Sequence, residues 1–184
     1  MSLELNIKNI NLNIWEVFEK KILSKYTRII YYNKKDELFM KIWEKEYIWK
    51  YNFKYAYDCG YYKEISLIDN IIIDDSNDIL GYITKKIDFH NLKIELNCKK
   101  DQCILSDNLD NIEYHNFLNI LLKNTKLFNL AHIDLTPYNI GIKDGKYYIF
   151  DLESVVTLDK LNKLDSYKIY NPKLYVDSIS KLLI

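Results

Sequence analysis

The chain has 184 residues, of which 48% are hydrophobic, and its 26 basic and 26 acidic side chains cancel to a net charge of zero. This balance excludes the overall basic character of most nucleic-acid-binding domains and gives no general attraction to an anionic membrane, so we expect no nucleic-acid partner. The hydrophobic fraction suffices for one substantial core or for two small lobes that share a cleft.

The cysteines and the amino terminus bear on the compartment. Cys59, Cys98 and Cys103 form no Cys-x-x-Cys pair, and their odd number disfavours a disulfide framework. A zinc site that combined two of them with His90 would have an unusual spacing and lack its fourth ligand. Residues 1–6 lack the basic start and apolar core of a signal peptide, and no apolar run reaches a membrane-spanning length. We therefore expect a cytoplasmic protein.

The first half of the chain predicts an antiparallel sheet. Two strand pairs are expected, each joined by a polar turn: residues 28–32 with 37–42, and residues 67–74 with 79–87. Upstream, residues 11–26 have a near-helical spacing of apolar side chains. They predict either a helix or an irregular lead into a first strand.

One helix is expected between these strand pairs. Residues 43–57 are rich in aromatic and charged side chains, and Gly60 is placed to end a helix. The aromatic side chains recur at intervals of four: Trp43, Tyr47, Tyr51 and Tyr55. A helix packed on a small sheet needs one such apolar face, so we expect this stripe to lie in the core.

A long helix and a hairpin are expected in the second half, after the polar residues 88–110. The apolar face of the helix consists of Tyr114, Phe117, Leu118, Leu121, Thr125 and Phe128. We expect this face to pack against the hairpin, in which Asp144-Gly145 forms a two-residue turn. After Asn171-Pro172, a terminal helix is expected to bury Leu174, Ile179, Leu182 and Leu183.

The polar residues around this hairpin form a constellation that phosphoryl transfer can use. Residues 132–142 read His-Ile-Asp-Leu-Thr-Pro-Tyr-Asn-Ile-Gly-Ile, and residues 148–153 read Tyr-Ile-Phe-Asp-Leu-Glu. Because a hairpin brings its ends together, Asn139 at the entry and Asp151 at the exit are expected side by side. Their oxygen atoms suit Mg²⁺, and Asp134 would accept the proton of an attacking hydroxyl.

The spacing His-x-Asp-x-x-x-x-Asn, followed one hairpin later by an aspartate, resembles the catalytic and metal-binding loops of the protein-kinase-like superfamily. The resemblance implies ATP-dependent phosphoryl transfer to a hydroxyl, with Asp134 as base and with Asn139 and Asp151 as Mg²⁺ ligands. Leu152-Glu153 replaces the usual Phe-Gly. In this respect the chain is more similar to small-molecule (aminoglycoside-type) kinases and to the lipopolysaccharide core heptose kinase family. Glu153 would then be an auxiliary acid at the metal site.

The resemblance also implies a minimal, two-lobed α+β fold. Residues 1–87 would form an N-lobe with the nucleotide-binding antiparallel sheet and a helix. Residues 88–184 would form a reduced helical C-lobe that carries the catalytic loop and the metal site. Lys41 would lie on the third strand and contact the ATP phosphates, and His132 would hold the catalytic loop by packing and hydrogen bonds.

Near the phosphates the chain departs from the family's pattern, because the glycine-rich loop is missing. The corresponding turn is residues 24–27, where backbone N–H groups and the hydroxyls of Ser24 and Thr27 would meet a phosphate. Glu46 is the candidate partner of Lys41, with Glu44 as the alternative.

The acceptor stays open among three alternatives. The resemblance implies a sugar of the lipopolysaccharide core; the others are a specific protein substrate, or no acceptor at all in a pseudokinase that only binds. The missing glycine loop favours the pseudokinase. A glycolipid acceptor would need a basic cluster for peripheral membrane contact, and the candidates are Lys160, Lys163, Lys168 and Lys173.

Overall fold

The computed structural model has an α+β architecture with a mostly antiparallel sheet and few helices. It describes residues 3–23, 26–43, 49–87, 111–136, 139–161, 163 and 173–183. The strands are β1 (Leu3–Asn6), β2 (Glu16–Leu23), β3 (Tyr26–Asn33), β4 (Leu38–Trp43), β5 (Ile68–Ile73), β6 (Ile79–Lys85), β7 (Leu130–His132), β8 (Ile140–Lys143), β9 (Lys146–Ile149) and β10 (Val155–Thr157). The helices are α1 (Trp49–Asp58), α2 (Ile112–Phe128), α3 (Leu158–Leu161) and α4 (Lys173–Leu182), and short 3-10 helices lie at Ile7–Asn9 and Leu12–Ile14.

The chain divides into two compact units. The first comprises residues 1–54 and 67–86, and the second comprises residues 55–66 and 87–184. Helix α1 contributes to both units. No helix in the described part of the chain combines the length and the hydropathy that crossing a membrane requires.

The first unit is built on a six-stranded sheet in the order β1-β5-β6-β4-β3-β2. The two predicted strand pairs are confirmed as the antiparallel pairs β3–β4 and β5–β6. The stretch 11–26 contains a short 3-10 helix followed by strand β2, which is the irregular-lead alternative. β1 pairs in parallel with β5, with Leu3 opposite Asn70.

The two faces of β4 have different neighbours. Met40 lies in a buried apolar cluster with residues of β5 and β6, and the amino-terminal side chains Ile7, Ile10 and Trp15 pack against that cluster. The alternate residues Lys41 and Trp43 lie on the opposite face. There the Trp43 ring meets Phe53 of α1 at 5.3 Å, so α1 covers the face that carries Lys41.

Strands β4 and β6 approach each other closely at Gly81. A Cβ atom at this position would lie 1.9 Å from the backbone oxygen of Lys41, so only glycine fits beside that residue. The glycine therefore fixes the distance between β6 and the strand that carries Lys41.

The predicted aromatic stripe of α1 is wrong for Tyr51 and Tyr55, which are 59% and 56% exposed. Trp43 is buried, as predicted, but belongs to β4, and Tyr47 lies outside the described residues. The buried positions recur at intervals of three and are Lys50, Phe53 and Ala56. An interval of four therefore selected the neighbouring, solvent-exposed side of the helix.

Lys50 is fully buried on α1, and its Nζ lies 2.5 Å from the Asp78 carboxylate. The same ammonium lies 5.0 Å from the centre of the Tyr51 ring. A buried ammonium is costly unless it is paired, and these two partners allow a lysine at a position where periodicity predicts an apolar residue.

The second unit is organised around α2. The Asn111 side chain accepts hydrogen bonds from the backbone N–H groups at the start of α2, and left-handed Asn129 ends the helix. Its predicted face is confirmed at Tyr114, Phe117, Leu118, Leu121 and Thr125, which are buried, whereas Phe128 is half-buried. This face meets the hairpin as expected, with the Tyr114 and Tyr147 rings 5.3 Å apart.

The terminal helix is present as α4, but its buried side differs in part from the expected one. Ile179 is buried, as predicted, whereas Leu174 is 45% exposed. Tyr175 takes the buried position beside Leu174. The shift by one residue turns the hydroxyl of Tyr175 inward, which matters for the site described below.

Candidate functional site

Strands β8 and β9 form the predicted hairpin around Asp144-Gly145. Both turn residues have positive φ, 50° and 76°, as a type I′ turn requires. The register runs from Lys143 opposite Lys146 to Ile140 opposite Ile149. Beyond this last pair, the Phe150 N–H donates to the backbone oxygen of Asn139 at 2.7 Å. The backbone thus brings Asn139 next to the segment that enters Asp151, as the sequence predicted.

Asn139 is bonded to Asp134 through its side-chain amide. Its Nδ2 donates to the Asp134 carboxylate oxygen Oδ2 and to the Asp134 backbone oxygen, both at 2.9 Å. Since both partners are acceptors, the amide nitrogen must face Asp134, and the amide oxygen must face the other way. The Asn139 N–H also donates to the Thr136 oxygen at 2.9 Å. These bonds fix the two predicted site residues relative to each other.

His132 lies fully buried and joins two separate segments of the site. Its Nδ1 accepts from the Asp134 N–H at 3.3 Å, and its Nε2 lies 2.7 Å from the Asp151 backbone oxygen. A backbone oxygen can only accept, so the imidazole is the neutral tautomer with its proton on Nε2. The ring therefore acts as a spacer between the segment of Asp134 and that of Asp151.

The segment after Asp151 runs back along the start of the same loop. Val155 of β10 pairs with His132 of β7, and the Ile133 N–H donates to the Ser154 oxygen at 2.8 Å. Within this segment Glu153 is only 4% exposed. The antiparallel pairing thus holds Glu153 close to the loop that begins at His132.

Tyr62 is a neighbour of the two acids that the sequence did not indicate. Its hydroxyl donates to the backbone oxygen of Leu152, between Asp151 and Glu153. Burial raises the pKa of Tyr62 well above its ordinary value, and the charges of Glu153, then Cys59 and Asp151, raise it further. The charges of both carboxylates therefore act on one buried phenol.

The expected metal ligands are one amide and two carboxylates. Among the residues that the structure describes, no cluster of three or more His, Cys, Asp or Glu side chains could hold a metal ion. The donor set of Asn139, Asp151 and Glu153 has oxygen atoms only, which fits Mg²⁺ rather than a transition metal.

Lys41 lies in the first unit, on the face of the sheet that α1 covers. It is 5% exposed, and its Nζ lies 5.9 Å from the centre of the Tyr82 ring on the paired strand. Met40 and Ile42, on either side of Lys41 in the sequence, face the opposite side of the sheet, because Met40 belongs to the buried apolar cluster and Ile42 packs against it.

Four further candidates for the predicted nucleotide site fall wholly or partly outside the described part of the chain. Ser24 and Glu46 lie outside it, as does Glu44. Thr27 is described only as backbone of β3, opposite Ile22 of β2. Their roles stay predictions, and so does the pairing of Lys41 with a glutamate.

An aromatic surface that sequence reasoning missed lies on the same face as Lys41. Phe39, two residues before Lys41, stacks on Tyr32 with ring centres 4.8 Å apart, and Phe18 meets Phe39 edge-on at 5.3 Å. Phe18 is 64% exposed. Strand alternation was the available signal, since residues 39 and 41 must share a face.

The four nominated tail lysines are only partly described. Lys160 and Lys163 are exposed, Lys168 lies outside the described residues, and Lys173 is described only as backbone at the start of α4. Their side chains give no basic cluster that the structure itself defines.

Comparisons with known proteins give no match for this chain, either among protein-family models or among curated proteins. The assignment of roles therefore depends on the geometry and chemistry of the residues described above.

Proposed function

We propose that this chain is an ATP-dependent phosphotransferase with a two-lobed, kinase-like fold, which moves the γ-phosphoryl group to a hydroxyl acceptor. The observation that carries the proposal is the pair of hydrogen bonds from the Asn139 amide to Asp134. They set a carboxylate and an outward-facing amide oxygen side by side, at the end of a hairpin that leads directly into a second carboxylate. Phosphoryl transfer uses this combination of groups.

Each residue of the loop has a distinct role in the proposed reaction. Asp134 orients the acceptor hydroxyl and accepts its proton. The Asn139 amide oxygen and the Asp151 carboxylate hold Mg²⁺, with Glu153 as an auxiliary acid. The bound metal supplies charge neutralisation at the phosphates. His132 takes no part in the chemistry and keeps the segments of Asp134 and Asp151 at a fixed separation.

The first unit supports the nucleotide-binding part of the proposal. After β1, its elements follow the order β2-β3-β4-α1-β5-β6, and these three strands, one helix and two strands match the order that the resemblance implies. Lys41 supplies a cation for the phosphates on the face that also carries Phe18, Tyr32 and Phe39. Flat aromatic surfaces of this kind stack on nucleobases, with about 1–3 kcal/mol per base.

The acceptor we propose is a sugar hydroxyl of a lipopolysaccharide-type glycolipid, with a specific protein as the alternative. The exposed side chains of Lys160 and Lys163 would then meet the anionic headgroup of the acceptor. The test below distinguishes the glycolipid acceptor, the protein acceptor and a pseudokinase.

The test is a transfer assay with γ-labelled ATP and Mg²⁺. The purified protein is incubated alone, with core-sugar glycolipid, and with cell extract, and the lipid and protein fractions are then separated. Label in the lipid fraction supports the glycolipid acceptor, and label confined to a protein band identifies the protein alternative. Binding of MgATP without any transfer identifies a pseudokinase.

Two variants separate the roles of the two aspartates. Asp151→Ala should abolish turnover and weaken the Mg²⁺-dependent binding of ATP seen by calorimetry. Asp134→Ala should leave that binding nearly intact while turnover falls by roughly 10²- to 10⁴-fold. Asp159→Ala, on the exposed side of α3, is the matched control. Unchanged MgATP binding in Asp151→Ala would remove Asp151 from the metal site.

A further inference from the structure

Two buried hydroxyl groups contact the backbone N–H of His132, and a third contacts one of these hydroxyls. The hydroxyl oxygens of Tyr61 and Tyr175 each lie 3.1 Å from this nitrogen, and the Thr125 hydroxyl lies 3.2 Å from that of Tyr175. All four residues have 0% exposure. We call Tyr61, Thr125 and Tyr175 the hydroxyl cluster.

The hydroxyl cluster joins three separate segments to the end of β7. Tyr61 comes from the turn after α1, Thr125 from α2 and Tyr175 from α4. The turn is fixed in its place by Asn124, whose side-chain nitrogen donates to the backbone oxygens of Tyr61 at 2.8 Å and of Lys63 at 3.1 Å. The hydroxyls therefore sit on a frame that is itself hydrogen-bonded.

The cluster provides more than the satisfaction of one buried donor. A buried N–H needs one acceptor, yet the His132 N–H has two at equal distance. Two acceptors restrict the direction of the N–H bond more than one acceptor would, and so they restrict the orientation of the His132 backbone. Burial raises the pKa of both Tyr61 and Tyr175, so each phenol keeps its proton at neutral pH and can donate within the cluster.

The orientation of His132 is transmitted to the reacting loop by its ring. The ring bonds the Asp134 N–H at one nitrogen and the Asp151 oxygen at the other. A small rotation of the His132 backbone therefore displaces two residues of the proposed site in one step. Displacements near 1 Å cost about 10²-fold in rate when they affect reacting groups.

We propose that Tyr175 of α4, together with Tyr61, is a positioning residue of the active site: its hydroxyl fixes the His132 backbone and thereby sets the separation of Asp134 and Asp151. The catalytic consequence rests on the proposed phosphotransferase function, whereas the effect on the His132 backbone does not. Helix α4 then supports the active site through the hydroxyl of Tyr175, in addition to its apolar packing.

The test compares Tyr175→Phe with Ile179→Val. The first removes only the hydroxyl, and the second trims a fully buried side chain on the same helix and leaves all three hydroxyls of the cluster in place. Thr125→Val is a second variant. It removes the hydroxyl that contacts Tyr175 and keeps the phenol rings of Tyr61 and Tyr175. The readouts are hydrogen exchange at the His132 amide, the nitrogen chemical shifts of its ring, and kcat and KM for MgATP.

We expect Tyr175→Phe to speed His132 amide exchange by about tenfold relative to its neighbours in β7 and to lower kcat by about tenfold, with an unchanged KM for MgATP. Thr125→Val should give a smaller change in the same direction. Ile179→Val should lower the melting temperature and leave the His132 amide exchange and kcat unchanged.

Two outcomes overturn the proposal. If Tyr175→Phe and Ile179→Val change exchange and kcat equally, the helix acts by packing alone. If Tyr175→Phe leaves His132 exchange and its ring shifts unchanged, the hydroxyl does not hold the backbone. A wild-type protein without any turnover would refute the phosphotransferase instead, because the exchange and shift measurements need no activity.

Discussion

The imidazole of His132 spans the gap between two backbone segments. Its Nε2 lies 2.7 Å from the backbone oxygen of Asp151, and its Nδ1 lies 3.3 Å from the backbone nitrogen of Asp134. Each nitrogen of a neutral imidazole has one role, so the ring needs both partners in this arrangement. The two acids of the proposed site are therefore held by one buried side chain that does not itself react. This relationship makes His132 a residue whose removal affects catalysis through geometry.

His132→Phe keeps the ring volume and removes both hydrogen bonds. The part-buried Asp134 N–H and Asp151 backbone oxygen then each lose this hydrogen bond, which costs about 0.5–1.5 kcal/mol for each bond. We expect a lower free energy of unfolding and a loss of turnover of about 10²-fold. Chemical denaturation and the transfer assay measure the two effects. The control is His115→Phe, a half-buried histidine on α2, and an equal loss of turnover in that variant would contradict this role.

Asn139 is predicted to have two separable functions, metal binding and the orientation of Asp134. Asn139→Asp keeps an oxygen ligand and removes the two N–H donors, and it places a second carboxylate beside Asp134. We expect Mg²⁺-dependent ATP binding to persist while turnover falls by about 10²-fold. Asn139→Ala should weaken both. Identical binding losses in the two variants, measured by calorimetry, would show that the amide oxygen is not a metal ligand.

Lys41 is predicted to act on the phosphates of ATP. Lys41→Met preserves the length of the buried stem and removes the charge, so the KM for ATP should rise by about tenfold and kcat should fall. Lys85→Met, an exposed lysine on the paired strand β6, is the matched control. If both variants keep the wild-type KM, the ammonium of Lys41 is only a structural charge.

Alkaline pH is predicted to destabilise the protein through its buried tyrosines. Burial raises the pKa of Tyr61, Tyr62 and Tyr175 in the folded state, whereas the unfolded chain ionises near the ordinary value of about 10. The unfolded state thus binds fewer protons above pH 10, and the free energy of unfolding should fall by up to about 1.4 kcal/mol per pH unit for each group. Below pH 10 this contribution is constant.

The measurement is chemical denaturation between pH 8 and pH 11, with phenolate absorbance followed in parallel. Tyr175→Phe should make the alkaline decline shallower, and Tyr51→Phe, which removes an exposed ring, should leave it unchanged. A phenolate signal from these three residues in the still-folded protein would contradict the prediction.

The parts of the fold that could be predicted are those that local chemistry decides. Asp144-Gly145 supplies the two left-handed residues of its turn, and α2 has an unbroken apolar face with an asparagine at each end. The face of α1 could not be predicted, because Trp43 and Tyr82 on two different strands decide which side of the helix is covered. In such cases burial is set by neighbours that are remote in the sequence.

The candidate site divides in the same way. Asp134, Asn139 and Asp151 could be found because a hairpin converts a short spacing in sequence into proximity in space. Tyr61 and Tyr175 contact His132 across 71 and 43 residues, and their spacing carries no signal of that contact. The chain has 17 tyrosines, and nothing in the sequence distinguishes these two from the other tyrosines.

The parallel pairing of β1 with β5 has a consequence for the order in which the chain folds. Leu3 to Asn6 precede their partners, Asn70 to Ile73, by most of the first unit, so β1 has no strand to pair with until that unit has been synthesised. Meanwhile the side chains of Ile7, Ile10 and Trp15 lack the cluster around Met40 and Ile72 on which they pack. Strand β1 is thus among the last elements of the first unit to be fixed, because its pairing joins residues that lie far apart in the sequence.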